Sequence, residues 1–198
     1  LKISLYVSTL LFHIVKIFFI YTVLATRCQG AEAKQIYRYL INGDINNARK
    51  ALSYIVGRDT EKLDVQGICR AVIETVSENT SDGIVAPLFY LFLGGVPLAM
   101  AYKAINTLDS MVGYKNERYI NMGMASARLD DIANFIPARL TSFLIAIASF
   151  ITGLNPRRSL SIMLRDGRNN PSPNSGYPEA SMAGALGVRL GGPSSYGG

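Results

Sequence analysis

The stretch that decides the fold is 135–154, FIPARLTSFLIAIASFITGL. It is an almost uncharged apolar run, entered through Pro137 and Arg139, and it matches the roughly 20 helical residues that cross the hydrocarbon of a bilayer. Upstream, 84–105 (IVAPLFYLFLGGVPLAMAYKAI) is also apolar, but it carries Pro87 and, at its centre, Gly94-Gly95-Val96-Pro97. A helix breaks at such a centre, and broken backbone is tolerated at membrane depth where protein or a wet cavity surrounds it. We therefore expect a re-entrant hairpin over 84–105. A third run, 3–25, holds His13 and Lys16 one turn apart. It reads as a span whose polar face turns toward other helices, because a cleaved leader has an uninterrupted apolar region.

The composition agrees. Of 198 residues, 49% are apolar and 17% charged, and no tryptophan is present; the mean hydropathy is +0.21. These values exclude a disordered or fibrous chain. Cys28 and Cys69 are the only cysteines, which excludes a disulfide scaffold. Lys and Arg number 20 against 14 Asp and Glu. In a chain with long apolar runs, that excess reads as cytoplasmic-loop charge, and no nucleic-acid partner is expected. The bases fall in three polar blocks, 26–83, 106–134 and 155–198, and one topology places all three in the cytoplasm if the 84–105 stretch turns back.

Between the apolar runs the pattern is helical. Ile36, Tyr37, Leu40, Ala48, Leu52 and Ile55 recur at helical spacing, with Asn42-Gly43-Asp44 as a turn between two short amphipathic helices. No alternating strand pattern occurs, and the Pro/Asn/Ser/Gly-rich 169–178 reads as a loop. The expected class is an all-α, multi-pass integral membrane protein with amphipathic cytoplasmic helices, forming a single domain over 1–198. Leu1 lies inside an apolar run and Gly198 in a glycine-rich turn, so the sequence is read as a piece of a longer one.

Four clusters bear chemistry. The first is 64–83, a helix capped by Asp64 and closed by Gly83. Its face of Arg70, Glu74, Ser77, Glu78 and Ser81 ends in ENTSDG at the mouth of the second apolar stretch. That face is either a solvated, salt-bridged surface or a carboxylate cluster holding a metal or an amine. The second is Asn106, Asp109, Ser110 and Gly113, which share one helical face and either meet a cavity or emerge into water.

The third is SARLDDIAN, 126–134. Asp130 and Asn134 face together, and Arg128 and Asp131 are spaced to pair. Asp130 and Asp131, with Asn134 one turn on, suit Mg²⁺ bridging a substrate phosphate, and Arg139 suits a phosphate clamp. An intrahelical ion pair with a cap is the alternative. The fourth is 165–198, where Asn174-Ser175 before Pro178-Glu179 reads as a helix N-terminus. The helix that follows, with Ala183, Gly184, Ala185 and Gly187, either packs closely on a neighbour or opens an anion site.

No phosphate-binding glycine loop, dinucleotide fingerprint, HExxH or CxxC occurs. His13 is the only histidine, so a histidine triad or a histidine-bound zinc is not expected. Any catalysis rests on carboxylates, arginines, amides and hydroxyls.

Three runs, RDTEKLDVQGICRAVIETVSENTSDGIVAPLFYLFLGG from Arg58, AYKAINTLDSMVGYKNERYINMGMASARLDDIANFIPARL from Ala101 and RDGRNNPSPNSGYPEASMAGALGVRLGGPSSYGG from Arg165, carry ENTSDG, NTLDSM, SARLDD and PSPNSGYPEA in this order. The chain resembles, from about Arg27 to Gly198, the adenosylcobinamide-phosphate synthase family of cobalamin biosynthesis (CobD/CbiB). The resemblance implies a multi-pass protein of the cell (inner) membrane with a cytoplasmic site. It implies formation of an amide between a carboxylate side chain of adenosylcobyric acid and aminopropanol phosphate or a related amino alcohol. A carboxylate does not condense with an amine in water unactivated, so ATP and Mg²⁺ are expected, through an acyl phosphate. The corrinoid and the amino-alcohol phosphate are the substrates, the bilayer is the medium, and other cobalamin-pathway enzymes are candidate partners.

At matching motif positions the resemblance implies Glu78, Asp82, Asp130 and Asp131 for metal binding or proton transfer. It implies Arg58, Arg128 and Arg139 for phosphate, and Asn79, Asn106, Asp109, Asn174 and Glu179 for positioning substrates. Two other readings stand beside it: a Mg²⁺-dependent membrane transferase, and a non-catalytic transporter or scaffold of a corrinoid pathway.

Overall fold

The computed structural model describes residues 2–24, 26–112 and 120–192. Among these the secondary structure is helical throughout: α1 (Lys2–Val23), α2 (Thr26–Ile41), α3 (Ile45–Ser53), α4 (Val65–Thr80), a π turn (Ser81–Val85), α5 (Ala86–Val112), α6 (Ile120–Ile151), α7 (Pro156–Asp166) and α8 (Gly176–Leu186).

The expected 42–44 turn separates α2 from α3. Gly43 takes φ 74° there, a left-handed backbone that glycine adopts without a Cβ clash, and the Asp44 side chain caps α3 by accepting from Asn47 N–H. Ile36, Ala48 and Leu52 then bury against Ile68 and Ala71 of α4 in one apolar core. Asp64 caps α4 through Gly67 N–H, as expected. Gly83, however, does not close that helix. Its φ is not positive, and the apolar run that follows carries the helix on through the π turn, where Ala86 N–H reaches back to Ser81 O.

α5 does not continue as a straight rod. Gly94 (φ −143°, ψ 20°) and Gly95 (φ 67°, ψ −161°) leave the helical region, and the chain folds back on itself. The Tyr102 hydroxyl lies 3.3 Å from the Asp82 carbonyl, although twenty residues of straight helix would separate them by about 30 Å. The chain path therefore reverses within 84–105. Phe19, Ile20 and Val23 of α1 line a crevice with Pro87 and Leu91 of its first leg and Val96 and Ala99 of its second. His13 and Lys16 are exposed, so the polar face of α1 meets no other helix among the described residues.

Two stretches, Val65–Met111 and Gly123–Ile151, are long and apolar enough to cross a membrane. The first is bent into the hairpin just described. The second lies in α6, whose residues Ala138, Thr141, Ser142, Ile145, Ala146 and Ser149 are buried along one stripe. α7 and α8 cover that stripe. The Ser181 hydroxyl donates to Ser142 O at 2.9 Å and lies 2.8 Å from the Ser159 hydroxyl. A Cβ on Gly184 would stand 2.5 Å from Arg158 O, so the small face of α8 serves close packing. Gly187 ends α8 at φ 73°.

Candidate functional site

The continuous helix 65–93, the returning leg of α5, the first half of α6 and the loop 167–175 surround a polar cavity of about 580 Å³. α4 contributes Thr75, Glu78 and Asn79, and the π turn adds Ser81 and Asp82. Such a turn inserts one residue into the helical repeat and is frequent at functional sites; here it brings Ser81 and Asp82 to the wall beside Glu78. Asn106, Asp109 and Ser110 come from α5, and Asp130, Asp131 and Asn134 from α6. The second and third sequence clusters thus face each other, while Gly113 lies outside the described residues. Asn106 Nδ2 donates to Asp130 Oδ1 at 3.3 Å, and Asn134 Nδ2 donates to Asp130 Oδ2 at 2.9 Å.

Five carboxylates, those of Glu78, Asp82, Asp109, Asp130 and Asp131, face this space, and Arg58 is the arginine on its wall. The loop carrying Arg58 is tied to α3 by Arg49, which donates to Leu63 O at 2.8 Å, and by Thr60, which donates to Arg49 O at 3.1 Å. Arg58 itself forms an ion pair with Glu74. Glu74 is buried, and its other oxygen accepts from Gly191 N–H at 2.7 Å. The face of Glu74, Ser77 and Ser81 is therefore an interior surface, because α8 and the segment after it pack against α4.

The site departs from several expectations. Arg128 is exposed and makes no ion pair with Asp131, whose side chain lies on the cavity wall. Arg139 is not on the wall. Its guanidinium is sandwiched between Phe135, 3.6 Å from the ring centroid, and Tyr177, 4.2 Å away, and it donates to Asn174 Oδ1 at 3.3 Å. Asn174 in turn donates to Asp131 O at 2.8 Å, so Arg139 steadies the loop that carries Asn174. Asn134 Oδ1 accepts from the buried Tyr102 hydroxyl at 2.8 Å. Among the described residues no three His, Cys, Asp or Glu side chains converge on a metal position.

At the start of α8, neither Asn174 nor Ser175 caps with its side chain. Ser175 is the N-cap residue without a side-chain bond, and the Ser172 hydroxyl instead accepts from Asn174 and Ser175 N–H. Glu179 lies behind the wall, where Asn170 Nδ2 donates to it at 3.1 Å. Burial, reinforced by the negative charges of Glu78 and Glu74, pushes the Glu179 carboxyl up to about 8, although the Asn170 bond and Arg58 oppose the shift.

Tyr102 and Ser172 serve this site and are not among its expected residues. Tyr102 had a faint signal, a lone hydroxyl two turns before Asp109 on an apolar leg. The role of Ser172 depends on the loop path alone.

A family model described as CobD/Cbib protein matches residues 1–198. The chain is 58% identical over 176 residues to a protein of Geobacter metallireducens named cobalamin biosynthesis protein CobD, covering 89% of this chain and 55% of the relative. It is 58% identical over 183 residues to a protein of the same name from Citrobacter koseri, covering 92% and 57%. It is 56% identical over 182 residues to cobalamin biosynthesis protein CbiB of Salmonella arizonae, again covering 92% and 57%. The chain thus spans a little over half the length of these relatives. No solved structure matches it.

Proposed function

The chain belongs to the CobD/Cbib protein family, and from that membership we propose that it acts in cobalamin biosynthesis as the adenosylcobinamide-phosphate synthase. In this reading it is a cell (inner) membrane enzyme, with its site on the cytoplasmic face. It joins a carboxylate side chain of adenosylcobyric acid to the amine of aminopropanol phosphate or a related amino alcohol, forming a C–N bond and releasing the elements of water.

The observation that carries the reading is the polar cavity, which gathers five carboxylates and Arg58 from four separate segments. Those carboxylates favour a cationic guest, and the ammonium end of an amino alcohol supplies one. Glu78 and Asp82, neighbours on one wall, hold that ammonium and accept its proton as the amine becomes a nucleophile. Arg58 attracts the phosphate end. Asn79, Asn106 and Asn174 supply amide donors and acceptors that orient the reacting groups. Asp109 adds a further acceptor on the α5 side.

The hard-oxygen donors Asp130 and Asp131 fit Mg²⁺, which takes few protein carboxylates and fills its shell with water and phosphate oxygens. Asp130 is held ready for that role by Asn106 and Asn134. ATP with Mg²⁺ would supply the activation that a carboxylate lacks in water. Arg128, Arg139 and Glu179 act, in this reading, from outside the wall: Arg139 by holding Asn174, Glu179 by keeping a protonated, uncharged carboxyl behind Glu78.

Membranes carrying the full-length protein, given adenosylcobyric acid, aminopropanol phosphate, ATP and Mg²⁺, test this. A corrinoid mass gain equal to the amine minus one water, abolished in Asp131→Asn, is the expected result. Corrinoid bound without that gain would replace the ligase by a non-catalytic corrinoid-binding role.

A further inference from the structure

Over 132–151, α6 has two unlike faces. The covered one is the stripe of small and hydroxyl side chains beneath α7 and α8. The opposite one is bare: Phe135, Ile136, Phe143, Ile147, Phe150 and Ile151 are 53 to 77% exposed. Length and apolar content alone would send this helix across a bilayer. Its neighbours in the fold oppose that.

Suppose that α6 crossed with Asp131 at one surface. Leu154 would then lie about 35 Å further on, at the other surface. α7 packs back along α6 for 11 residues, or about 16 Å, and Gly167 at its end meets Tyr177, which stacks on Arg139. That end would lie near the bilayer centre. It carries the Arg165–Asp166 pair, with side chains 69% and 34% exposed, followed by exposed Arg168. Charged side chains turned to lipid at that depth each cost several kcal/mol.

The contacts beyond α7 bring the chain back to the side from which α6 starts. Asn174 reaches Asp131 O, Gly191 N–H reaches Glu74, and Arg70 donates to Gly191 O at 3.1 Å. The segments before and after 135–154 therefore touch each other, and polar segments in contact lie on one side of a membrane.

We infer that α6 is an interfacial helix, lying along the membrane surface with its bare face seated in lipid, and that 135–154 does not cross. The occupant is a lipid surface rather than a protein because the apolar stripe ends at exposed Leu154 beside exposed Arg157 and Arg158. Apolar side chains flanked by arginines match acyl chains beneath anionic headgroups. This placement also keeps the cavity on the same side as all three polar blocks, with the α5 hairpin as the inserted element.

The test uses the full-length protein with its native cysteines, Cys28 and Cys69 among them, replaced by serine and needs no substrate, so its outcome is separate from that of the ligase reading. Single cysteines at Arg128→Cys and Arg157→Cys are labelled with a membrane-impermeant maleimide in right-side-out and in inverted vesicles. Labelling of both in the same orientation is expected, and labelling in opposite orientations would overturn the inference. Nitroxides at Phe143→Cys, Ile147→Cys and Phe150→Cys in anionic proteoliposomes are expected to report one shallow depth, with oxygen colliding more often than a nickel chelate. A depth that passes through the bilayer centre along the helix would show a crossing. Protection of all three from both colliders would show a protein occupant instead, and either result refutes the lipid-seated helix.

Discussion

The rings of Tyr90 and Tyr102 stack with centroids 5.0 Å apart and planes 16° from parallel, although twelve residues separate them in the chain. This contact exists because Gly95 occupies a backbone region, φ 67° and ψ −161°, that is essentially reserved for glycine. Gly95→Ala is expected to cost about 1–3 kcal/mol and to lower the unfolding temperature of the detergent-solubilised protein. Gly30→Ala, in α2 with nothing within 4 Å of its added Cβ, is the contrast. It is expected to gain about 0.5–1 kcal/mol.

Tyr102→Phe leaves the ring stack intact and removes only a hydroxyl. The hydroxyl is the partner of Asn134 Oδ1, and Asn134 is 1% exposed, so water does not replace it. The expected loss is about 1–3 kcal/mol. Equilibrium unfolding of the variant beside the parent checks it, and an unchanged stability would contradict the buried bond.

Gly184→Ala tests the joint between α7 and α8. The new methyl would meet Arg158 O at 2.5 Å and Ser159 Cα at 2.8 Å, both backbone atoms that move only if the helices part. A loss of about 1–3 kcal/mol is expected, together with faster limited proteolysis in the loop 167–175.

Glu179 makes stability depend on pH. Its folded pKa of about 8 lies above the ordinary glutamate value of 4.5, so between these values the folded state holds a proton that the unfolded state has released. The contribution of Glu179 to stability is therefore greatest below about 4.5, declines as pH rises, and levels off above about 8. The slope is at most about 1.4 kcal/mol per pH unit. Unfolding midpoints measured across this window should fall less steeply with pH in Glu179→Gln than in the parent.

Arg58→Met removes the cation beside Glu74. With Glu74 only 6% exposed and its carboxylate still held by the Gly191 N–H, the expected loss is about 3 kcal/mol. The double variant Arg58→Met/Glu74→Gln should recover part of it in the same unfolding measurement, because it removes the stranded charge.

Local rules made much of this legible from sequence. Asp44 and Asp64 cap helices because a short carboxylate before an apolar periodicity has few other uses, and Gly94-Gly95-Val96-Pro97 marks the reversal because no regular helix tolerates it. The carboxylates that share the cavity sit at helical spacings that already placed them on common faces. What was not legible depends on partners distant in sequence. The aromatic sandwich around Arg139 requires Tyr177, 38 positions on, and Glu74 reads as a surface residue until Arg58 and Gly191 close over it. Hydropathy averages the two faces of 135–154 into one apolar run, whereas Ala138, Thr141, Ser142, Ala146 and Ser149 mark a helix-packing stripe of small residues. Gly83 failed as a stop signal because the helical run simply continues beyond it.

The π turn at Ser81–Val85 sets the angular phase of everything beyond it. A regular α-helix advances about 100° per residue, so the one residue that the turn absorbs determines which way the whole hairpin faces when seen from α4. Without it, the side chains after Thr80 would be rotated by roughly a quarter turn. Asp82 would leave the wall it shares with Glu78, and Tyr102 would lose its registry with Asn134. A single extra residue thus couples the aim of the acidic wall to the orientation of the hairpin, so that neither can be re-aimed without the other.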